Sequence, residues 1–370
     1  MDNTKKTICH LTSPHPRFDT RIFHKECVSL VELGYEVILL VADGKGDDYV
    51  KGVKIHGLKK PKNKLERIIK TTREISKKAI EINADVYHFH DPELIFVGLK
   101  LLKKGKKVVY DVHEDLPRQR FVKKYGKIFR PFLEKLLEEI EAYAVRKFSA
   151  VLTATPHIMA RFSGMNNNLY TLCNFPIIAE FSNSPVNWEK KEIKIAYIGD
   201  IILERGIIEM VKAIENIEVT LDICGKFSDK GLRQSVELLP GWRKVKFHGY
   251  VDRFKVAEVL GEAYAGMVTL HPHSNFIDSY PVKMFEYMAS SVPVISSDFP
   301  LFKEIVEGNN CGFCVNPMNT DEIAKTISFI LNNPTTAQDM GENGKRAVLE
   351  KYNWNNEINK LSCVYQKLCS

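Results

Sequence analysis

The segment IKIAYIGDIILERGIIEMVKAI, residues 193–214, indicates how the second half of the chain is built. The apolar run IAYIG is typical of a buried strand and ends at Gly199 and Asp200. The loop IILERG then carries Arg205 and Gly206 into the helical pattern IIEMVKAI. A glycine turn between a strand and a helix presents free backbone N–H groups that suit a phosphate, and Arg205 adds a guanidinium. An arginine simply exposed on a first helical turn accounts for Arg205 equally well at this point.

Strand patterns alternate with helical patterns along the whole chain. The strands predicted in the first half are residues 7–11, 37–41, 86–90, 108–112 and 150–153. Helices are predicted to begin near Thr20, Leu65, Glu93 and Arg130. The strands predicted in the second half are residues 193–199, 219–225, 245–249, 266–272, 292–297 and 312–316. Strands separated by helices imply parallel crossovers, so the sequence predicts an α/β fold with two doubly wound, Rossmann-like sheets in tandem.

The segment NFPIIAEFSNSPVNWEKKE, residues 174–192, interrupts this alternation with prolines, small polar residues and charges, as a linker does. We therefore predict a first domain at 1–173, a linker at 174–192 and a second domain at 193–354. A helix at about 355–370 is able to pack back on the first domain. Because ligands bind at the carboxyl ends of parallel strands, the ligand cleft is expected between two facing sheets.

Composition excludes several classes of protein. Of the 370 residues, 44% are apolar and 27% are charged, which is globular. The first residues lack a signal peptide and no apolar run is long enough to span a bilayer, so we expect a cytoplasmic protein. The eight cysteines are scattered and are expected to be reduced; Cys311 and Cys314 have metal-ligand spacing but lack a second pair.

Charge is distributed unevenly along the chain. Residues 1–170 contain 32 Lys and Arg against 21 Asp and Glu, whereas the remaining residues contain 21 against 25. The basic character therefore belongs to the first half.

The segment DSYPVKMFEYMASSVPVISSD, residues 278–298, places two carboxylates around a predicted helix start. Pro281 suits a first helical turn, so Asp278 precedes the helix and Glu286 lies inside it. Backbone N–H groups and Lys283 between them suit a diphosphate, and the two acids suit sugar and ribose hydroxyls. A loop cap at Asp278 and a surface position for Glu286 would account for the same pattern without a ligand.

Two further strands of the second half end in glycine. The predicted strands that end at Gly225-Lys226 and at Gly249-Tyr250-Val251 extend the ligand side of this sheet. The residues predicted to bind this sugar diphosphate are Gly199, Asp200, Arg205, Gly225, Lys226, Gly249, Tyr250, Val251, His271, Ser279, Tyr280, Pro281, Val282, Lys283 and Glu286.

The sequence resembles retaining glycosyltransferases of family 4, the group 1 glycosyl transferases, which have the type-B fold of two facing Rossmann domains. The resemblance rests on D278-SYPVKMF-E286-YMA with the later VPVIS, on YIGDIILERGIIEMVKAI and on HGYVDRFKVAEVLGEAYAGM. It also includes CGFCVNPMNTDEIAKTI and the segment 354–365, so it covers nearly the whole chain.

The resemblance implies roles for individual residues. Glu286 matches the glutamate that holds the donor ribose, and Asp278 the acid that engages the transferred sugar. Arg205 matches the basic residue that neutralises the diphosphate, Gly249 to Val251 the loop beside the base, and His113 a histidine near the sugar. The predicted catalytic residues are Asp278, Glu286, Arg205, Lys283 and His113.

Three positions depart from the family pattern. Asp278 stands where the family usually has Glu, and Asp200 where it often has Arg. The first loop, SPHPRFDTRIFHKE, lacks the usual paired glycines, which puts the acceptor side in doubt.

The acceptor side is predicted from the first half of the chain. Its candidates are Asp19, Arg21, His24, His113 and Glu114. For Asp19, Arg21 and His24, a helix cap with salt bridges is an equally good interpretation. For His113, a cap on the next helix is the preferred interpretation when the resemblance is left aside. His88 and His90 alternate in VYHFHD and face one side of a strand, which suggests a cleft and not a metal.

The expected function is transfer of a sugar from a UDP- or GDP-linked donor to an acceptor hydroxyl with retention of configuration, in assembly of a bacterial surface polysaccharide. Neither a cofactor nor a metal is expected, and nucleic acid is not an expected partner. A nucleotide-sugar 2-epimerase on the same fold, and a non-catalytic basic binding or scaffold protein, remain as alternatives.

A basic amphipathic segment, RQRFVKKYGKIFRPFLEKLLEEI, occupies residues 118–140. The stretch from Arg118 to Arg130 contains six basic residues, both ends included, and no acid, and apolar residues recur at helical spacing. The pattern alone slightly favours an ordinary helix packed on its own domain, with Pro131 dividing the segment. The resemblance favours peripheral binding to an anionic membrane and a saccharide or lipid-linked saccharide acceptor.

Overall fold

The alternating strand and helix patterns fold into two separate sheets. The computed structural model describes residues 5–113, 126–182 and 188–370. Unit 1 comprises Met1–Asn174 and Asn355–Ser370, and unit 2 comprises Phe175–Trp354. The described residues of the predicted linker beyond Asn174 thus belong to unit 2, and the final segment belongs to unit 1.

The described part of unit 1 forms an eight-stranded sheet in the order β3-β4-β2-β1-β5-β6-β7-β8. The strands are β1 Thr7–Thr12, β2 Glu36–Val41, β3 Asp48–Val50, β4 Val53–Gly57, β5 Val86–Phe89, β6 Lys107–Val112, β7 Ala150–Thr153 and β8 Leu169–Thr171. Neighbouring strands run parallel except β3 and β4, which are antiparallel. The five strands predicted in this half are confirmed, whereas β3, β4 and β8 were not predicted.

Helices cover the crossovers of unit 1. They are α1 Val28–Glu32, α2 Lys64–Glu66, α3 Thr72–Ile82, α4 Ile95–Lys103, α5 Gly126–Val145 and α6 Pro156–Arg161, with π-helical Thr20–Cys27 and Arg67–Thr71 and 3₁₀ Pro92–Leu94. Side-chain caps fix where several of them begin. Asp19 accepts hydrogen bonds from the amides of Arg21 and Ile22, and Thr155 accepts one from the amide of Ile158.

The prediction that Pro131 divides its segment is wrong. α5 runs without interruption from Gly126 to Val145. Proline lacks an amide hydrogen and so removes one backbone hydrogen bond, but the helix continues on both sides of it. Residues 114–125, which contain Glu114 and part of the basic amphipathic segment, lie outside the described residues.

The described part of unit 2 forms a six-stranded parallel sheet in the order β11-β10-β9-β12-β13-β14. The strands are β9 Lys194–Ile198, β10 Thr220–Cys224, β11 Val245–Gly249, β12 Ala265–Val268, β13 Val294–Ser297 and β14 Gly312–Val315. All six were predicted. The two doubly wound α/β domains expected from the sequence are therefore confirmed.

The helices of unit 2 alternate with its strands. They are α7 Ala179–Ser182, α8 Ile207–Ala213, α9 Lys230–Glu237, α10 Arg253–Glu262, α11 Ser274–Ile277, α12 Val282–Ala289, α13 Pro300–Val306, α14 Thr320–Asn332 and α15 Pro334–Glu350, with 3₁₀ Trp188–Lys190, Leu203–Arg205 and Pro240–Lys244. The last helix, α16 Trp354–Cys369, belongs to unit 1 from its second residue onward. No helix in the described residues is both long enough and apolar enough to cross a bilayer.

Each sheet has one topological switch point, on either side of which successive strands are added in opposite directions. In unit 1 it lies between β1 and β5, and in unit 2 between β9 and β12. Ligands of open α/β sheets bind at the carboxyl ends of the strands beside such a point. These two edges are therefore where functional side chains are expected.

Candidate functional site

Glycines line the carboxyl edge of the unit 2 sheet, as predicted. Gly199 and Gly249 have φ of 120° and 71°, in the left-handed region that favours glycine. A Cβ atom on Gly225 would lie 1.9 Å from the carbonyl oxygen of Gly199, so the strand ends approach too closely for a side chain. Close approach of the backbone and left-handed φ angles thus account for glycine at the ends of these three adjacent strands.

Gly206 joins the loops that follow β9 and β12. Its φ is 76°, and a Cβ atom there would lie 2.2 Å from the carbonyl oxygen of Thr269. This contact fixes the turn that carries Arg205 at the switch point between the two strands. Arg205 Nη1 donates a hydrogen bond to the carbonyl oxygen of Asp200 at 3.2 Å, and the Tyr197 hydroxyl donates to the same oxygen at 2.7 Å. The backbone of Asp200 therefore orients Arg205.

Lys283 brings a second cation to this edge. A Cβ atom on Gly199 would lie 3.2 Å from Lys283 Nζ and 3.5 Å from Arg205 Nη1, so the glycine leaves space between them. Lys283 Nζ lies 3.8 Å from the centre of the Tyr197 ring, and no described residue accepts a hydrogen bond from it. Burial and then the charge of Arg205 hold the pKa of Lys283 well below its usual range, although Glu286 and Asp200 oppose the shift.

Glu286 lies in α12 and is buried, so a surface position for it is wrong. Its Oε1 accepts a hydrogen bond from Arg253 Nη1 at 2.7 Å. Arg253 also donates to Glu180 Oε2, from Nε at 3.0 Å and from Nη2 at 2.7 Å. The predicted ribose-binding acid is thus held in place by an arginine that the sequence reasoning missed.

The residues before α12 occupy a short turn. Asp278 is half-buried at the C-cap of α11, and Ser279 Oγ donates to the carbonyl oxygen of Phe276 at 2.8 Å. The Tyr280 ring packs against Phe175 and Phe285. Pro281 stands at the N-cap without a side-chain hydrogen bond, so α12 begins with the backbone of Val282, as the sequence predicted.

The other predicted donor residues differ in exposure. His271 Nε2 lies 3.0 Å from Glu209 Oε2, which joins the loop after β12 to α8. Lys226 is exposed, Tyr250 is 87% exposed and Val251 is half-buried. Tyr250 is therefore accessible to a ligand, whereas His271 already has a protein partner.

In unit 1, the predicted acceptor residues Asp19 and Arg21 are engaged by the protein itself. The Asp19 carboxylate caps the Thr20–Cys27 segment. Arg21 is buried and donates from Nε and Nη2 to both oxygens of Asp111, each at 2.8 Å, and from Nη1 to the carbonyl oxygen of Leu172 at 2.9 Å. Of the two interpretations of these residues drawn from the sequence, these contacts agree with a helix cap and salt bridges. The His24 ring lies edge-on against Phe23.

His113 lies at the carboxyl end of β6, beside a pocket of about 250 Å³. The pocket is also lined by His15, Arg67, Asp91 and Glu93. His113 Nδ1 lies 3.6 Å from Asp111 Oδ2. Burial alone would raise the pKa of Asp111, but Arg21 and the His113 and His90 rings hold it well below its usual range. A carboxylate that stays ionised thus stands behind His113.

Two doubly wound α/β sheets in tandem, with Arg205 and Lys283 at the carboxyl edge of the second, are the features of the type-B class of glycosyltransferase. The sequence profile described as "Glycosyl transferases group 1" matches residues 179–347, and the profile described as "Glycosyltransferase Family 4" matches residues 21–168. The chain belongs to glycosyltransferase family 4.

Curated relatives are distant. A phosphatidyl-myo-inositol mannosyltransferase from Mycolicibacterium smegmatis is 20% identical over 305 residues, which cover 80% of this chain and 74% of that protein. An MMP alpha-(1->4)-mannosyltransferase from Mycolicibacterium hassiacum is 26% identical over 91 residues, which cover 24% of this chain and 22% of that protein. The chain thus spans less than a quarter of this second relative.

Solved structures match over nearly the whole chain. Sucrose-phosphate synthase from Thermosynechococcus elongatus superposes with a TM-score of 0.77 at 17% identity, covering 98% of this chain and 99% of that chain. Anabaena HepE in complex with UDP-glucose superposes with a TM-score of 0.73 at 14% identity, covering 98% and 99%. At these identities the likeness establishes the fold.

Proposed function

We propose that this glycosyltransferase moves a hexosyl group from a UDP- or GDP-linked donor to an acceptor hydroxyl with retention of configuration. The acceptor is a saccharide or a lipid-linked saccharide, and the role is in assembly of a bacterial surface polysaccharide. The transfer itself requires no cofactor and no metal ion. Side chains and backbone groups of unit 2 bind the negatively charged diphosphate.

The observation that carries this proposal is the pair of cations at Gly199. Lys283 Nζ is buried without a hydrogen-bond acceptor among the described residues, and Arg205 lies beside it. Burial and the charge of Arg205 both disfavour a positive charge on Lys283, whereas an anion beside the two side chains favours it. A diphosphate has the charge and the oxygen acceptors that both require. The complex of the structural neighbour HepE with UDP-glucose supports the choice of a nucleotide sugar.

The chemistry follows from where charge develops. In glycosyl transfer the sugar becomes cationic and the departing diphosphate gains negative charge, so cations beside the diphosphate stabilise the transition state. We assign this role to Arg205 and Lys283. Two acids placed as nucleophile and acid/base are not evident among the described residues of unit 2, since Glu286 is paired with Arg253. A front-face displacement, in which the departing phosphate takes the acceptor proton, agrees with this arrangement.

Peripheral membrane binding is proposed from the sequence of residues 118–130, most of which lie outside the described residues. Sedimentation with vesicles that contain anionic lipid tests it directly. The wild-type protein should sediment at low salt and be released at high salt, and changing Lys123, Lys124 and Lys127 to Glu should weaken binding. If the wild-type protein stays in the supernatant at low salt, a soluble acceptor becomes the better proposal.

A panel of UDP- and GDP-sugars tests the reaction. With the correct donor we expect release of the nucleoside diphosphate, and NMR of the transferred sugar should show the anomeric configuration of the donor. Inversion of the anomeric centre would exclude retention. Interconversion of two nucleotide sugars without transfer would indicate an epimerase, and failure to bind any nucleotide would indicate a scaffold.

A further inference from the structure

Unit 1 contains a buried cluster that the proposed reaction does not use, formed by His10, Glu26, His88 and His90. His10 on β1 is the register partner of His88 on β5, and His90 follows two residues later, so the three rings share one face of the sheet. Glu26 comes from the segment Thr20–Cys27. His10, Glu26 and His88 are 0% exposed and His90 is 1% exposed. Three elements thus place four ligand-type side chains in one closed space.

The distances within this cluster leave room for an ion. Glu26 Oε2 lies 3.9 Å from His10 Nδ1, 3.7 Å from His88 Nδ1 and 3.8 Å from His90 Nε2. These separations are too long for hydrogen bonds. Ligands around a tetrahedral ion with bonds of about 2.1 Å stand about 3.4 Å apart, which is only a few tenths of an ångström less.

Glu26 lacks the hydrogen bonds that a buried carboxylate normally receives. Neither of its oxygens accepts one of good geometry from a described residue. Arg21 Nε lies 3.0 Å from Oε1, so the guanidinium faces one oxygen while the other faces the three imidazoles. Since buried polar atoms are rarely left without partners, the inner oxygen requires a partner of another kind.

A second layer of contacts orients one ring for coordination. His90 Nδ1 lies 3.0 Å from Asp111 Oδ2, and Arg21 holds Asp111 from the other side. A carboxylate that receives Nδ1–H leaves the Nε2 lone pair of His90 directed at the cluster. Histidines that bind metals are commonly held by a carboxylate in this way.

Two hydrogen bonds compete with an ion for the same nitrogens. His10 Nδ1 lies 3.0 Å from His90 Nε2, and the Tyr365 hydroxyl lies 2.8 Å from His88 Nδ1. Coordination would replace both contacts with bonds to the metal. Removing the Tyr365 hydroxyl should therefore leave the affinity for metal unchanged. If hydrogen bonds alone held the cluster together, the same change would lower the stability of the protein.

We infer that His10, Glu26, His88 and His90 bind one divalent transition metal ion, for which zinc is the best match. Three imidazoles and a carboxylate form a donor set that suits zinc, and the closed position indicates a structural ion that joins β1, β5 and the Thr20–Cys27 segment. Such an ion takes no part in the proposed sugar transfer. The loss of one function would therefore leave the other measurable.

Elemental analysis of the full-length protein, purified without chelators, gives the first test. We expect about one zinc per chain. After removal of metal with a chelator, added zinc should raise the melting temperature. Cobalt should give the visible absorption of a tetrahedral nitrogen and oxygen site. Protein that contains no metal, and that neither gains stability from zinc nor gives a cobalt spectrum, overturns the inference.

Variants locate the ion within unit 1. Glu26→Gln keeps the shape of the side chain but removes its charge. Glu26→Gln and His88→Gln, each made as a single variant, should abolish the cobalt spectrum. His15→Gln is the control, because His15, Asp91 and His113 form a second group with ligand spacing near the pocket. Tyr365→Phe should keep the spectrum. A spectrum lost in His15→Gln and kept in Glu26→Gln would place the ion at the second group and contradict the buried site.

Discussion

Lys283 is a buried amine above an aromatic ring, beside the guanidinium of Arg205 and without an acceptor among the described residues. Its pKa lies well below its usual range when no ligand is present. A bound diphosphate would add negative charge at this position and raise that pKa again. Ligand binding and protonation of Lys283 should therefore be coupled.

We expect the protein to take up protons when it binds UDP or GDP, because a bound diphosphate raises the pKa of Lys283 above its value in the free protein. Calorimetric titrations in buffers of different ionisation enthalpy measure this uptake as a slope. Lys283→Met should abolish the slope. The same change at exposed Lys226 should retain it. A wild-type slope of zero at every pH tested would show that Lys283 does not face the diphosphate.

Glu286 is expected to hold the ribose while Arg253 holds Glu286. Glu286→Ala should weaken binding of the nucleoside diphosphate by about 2 kcal/mol, roughly thirtyfold in Kd, because charge-assisted hydrogen bonds are lost. Glu180→Ala is the matched control, since it removes the other acid bound to Arg253 without touching the predicted ribose contact. Equal losses in the two variants would mean that Glu286 acts only by positioning Arg253.

At the scale of elements, the turn between β9 and α8 depends on Gly206. In Gly206→Ala, the alanine backbone would have to adopt the left-handed conformation, and its Cβ atom would clash with the carbonyl oxygen of Thr269. We expect the free energy of unfolding to fall by at least about 2 kcal/mol and the turnover to fall with it, since Arg205 would move. Chemical denaturation and donor assays measure these two effects.

Gly261→Ala is the control for this change. Gly261 lies in α10, and a Cβ atom there would meet no other atom within 4 Å. Alanine should leave the stability unchanged or raise it by up to about 1 kcal/mol, because alanine favours helix. A stable Gly206→Ala variant with normal turnover would contradict the role assigned to the turn.

The sequence predicted best the strands that are buried apolar runs. Val37 to Val41, β9 and β12 are buried along their whole length, and short runs of this kind are typical of strands in a parallel sheet. β3 and β8 have three residues each, too few for a pattern. Pro131 indicated a break that the helix does not have, and the helix continues on both sides of this proline.

The candidate site was predictable where its residues are neighbours in sequence. The acids, lysine and proline of 278–286 lie on one turn and helix, so their spacing alone indicated a common site. The pairing of Arg253 with Glu286 joins residues 33 positions apart on different helices. His10, Glu26 and the two histidines at the end of β5 likewise meet only through strand register. Such contacts depend on the tertiary fold, which local spacing does not encode.

At the scale of the whole molecule, unit 1 depends on a segment that follows unit 2 in sequence. Leu361, Val364, Tyr365 and Leu368 are buried in α16, and the Cys173 amide donates to Glu357 Oε2 at 2.8 Å. Removal of each large buried side chain typically costs about 2–5 kcal/mol. The first 174 residues are therefore unlike an independent domain with a complete core of its own.

Deletion of residues 355–370 should destabilise unit 1 selectively. Hydrogen exchange should become fast in β1 and β5, whereas unit 2 should keep its protection and its affinity for a nucleoside diphosphate. Deletion of residues 369–370 alone is the control and should change neither. Unchanged protection in β1 and β5 after the longer deletion would show that α16 contributes little to unit 1.

The divided sequence of unit 1 also determines an order of events on the ribosome. Translation delivers residues 1–174 first, but the helix that completes their core follows only after all of unit 2. At 5–20 residues per second, synthesis of the intervening 175–354 takes roughly 10–40 s. During that interval the nascent first unit exposes the apolar surface that α16 later covers. Unit 2, which is continuous in sequence, can thus finish folding before unit 1. Until α16 is made, the exposed apolar surface of unit 1 is a natural target for a chaperone.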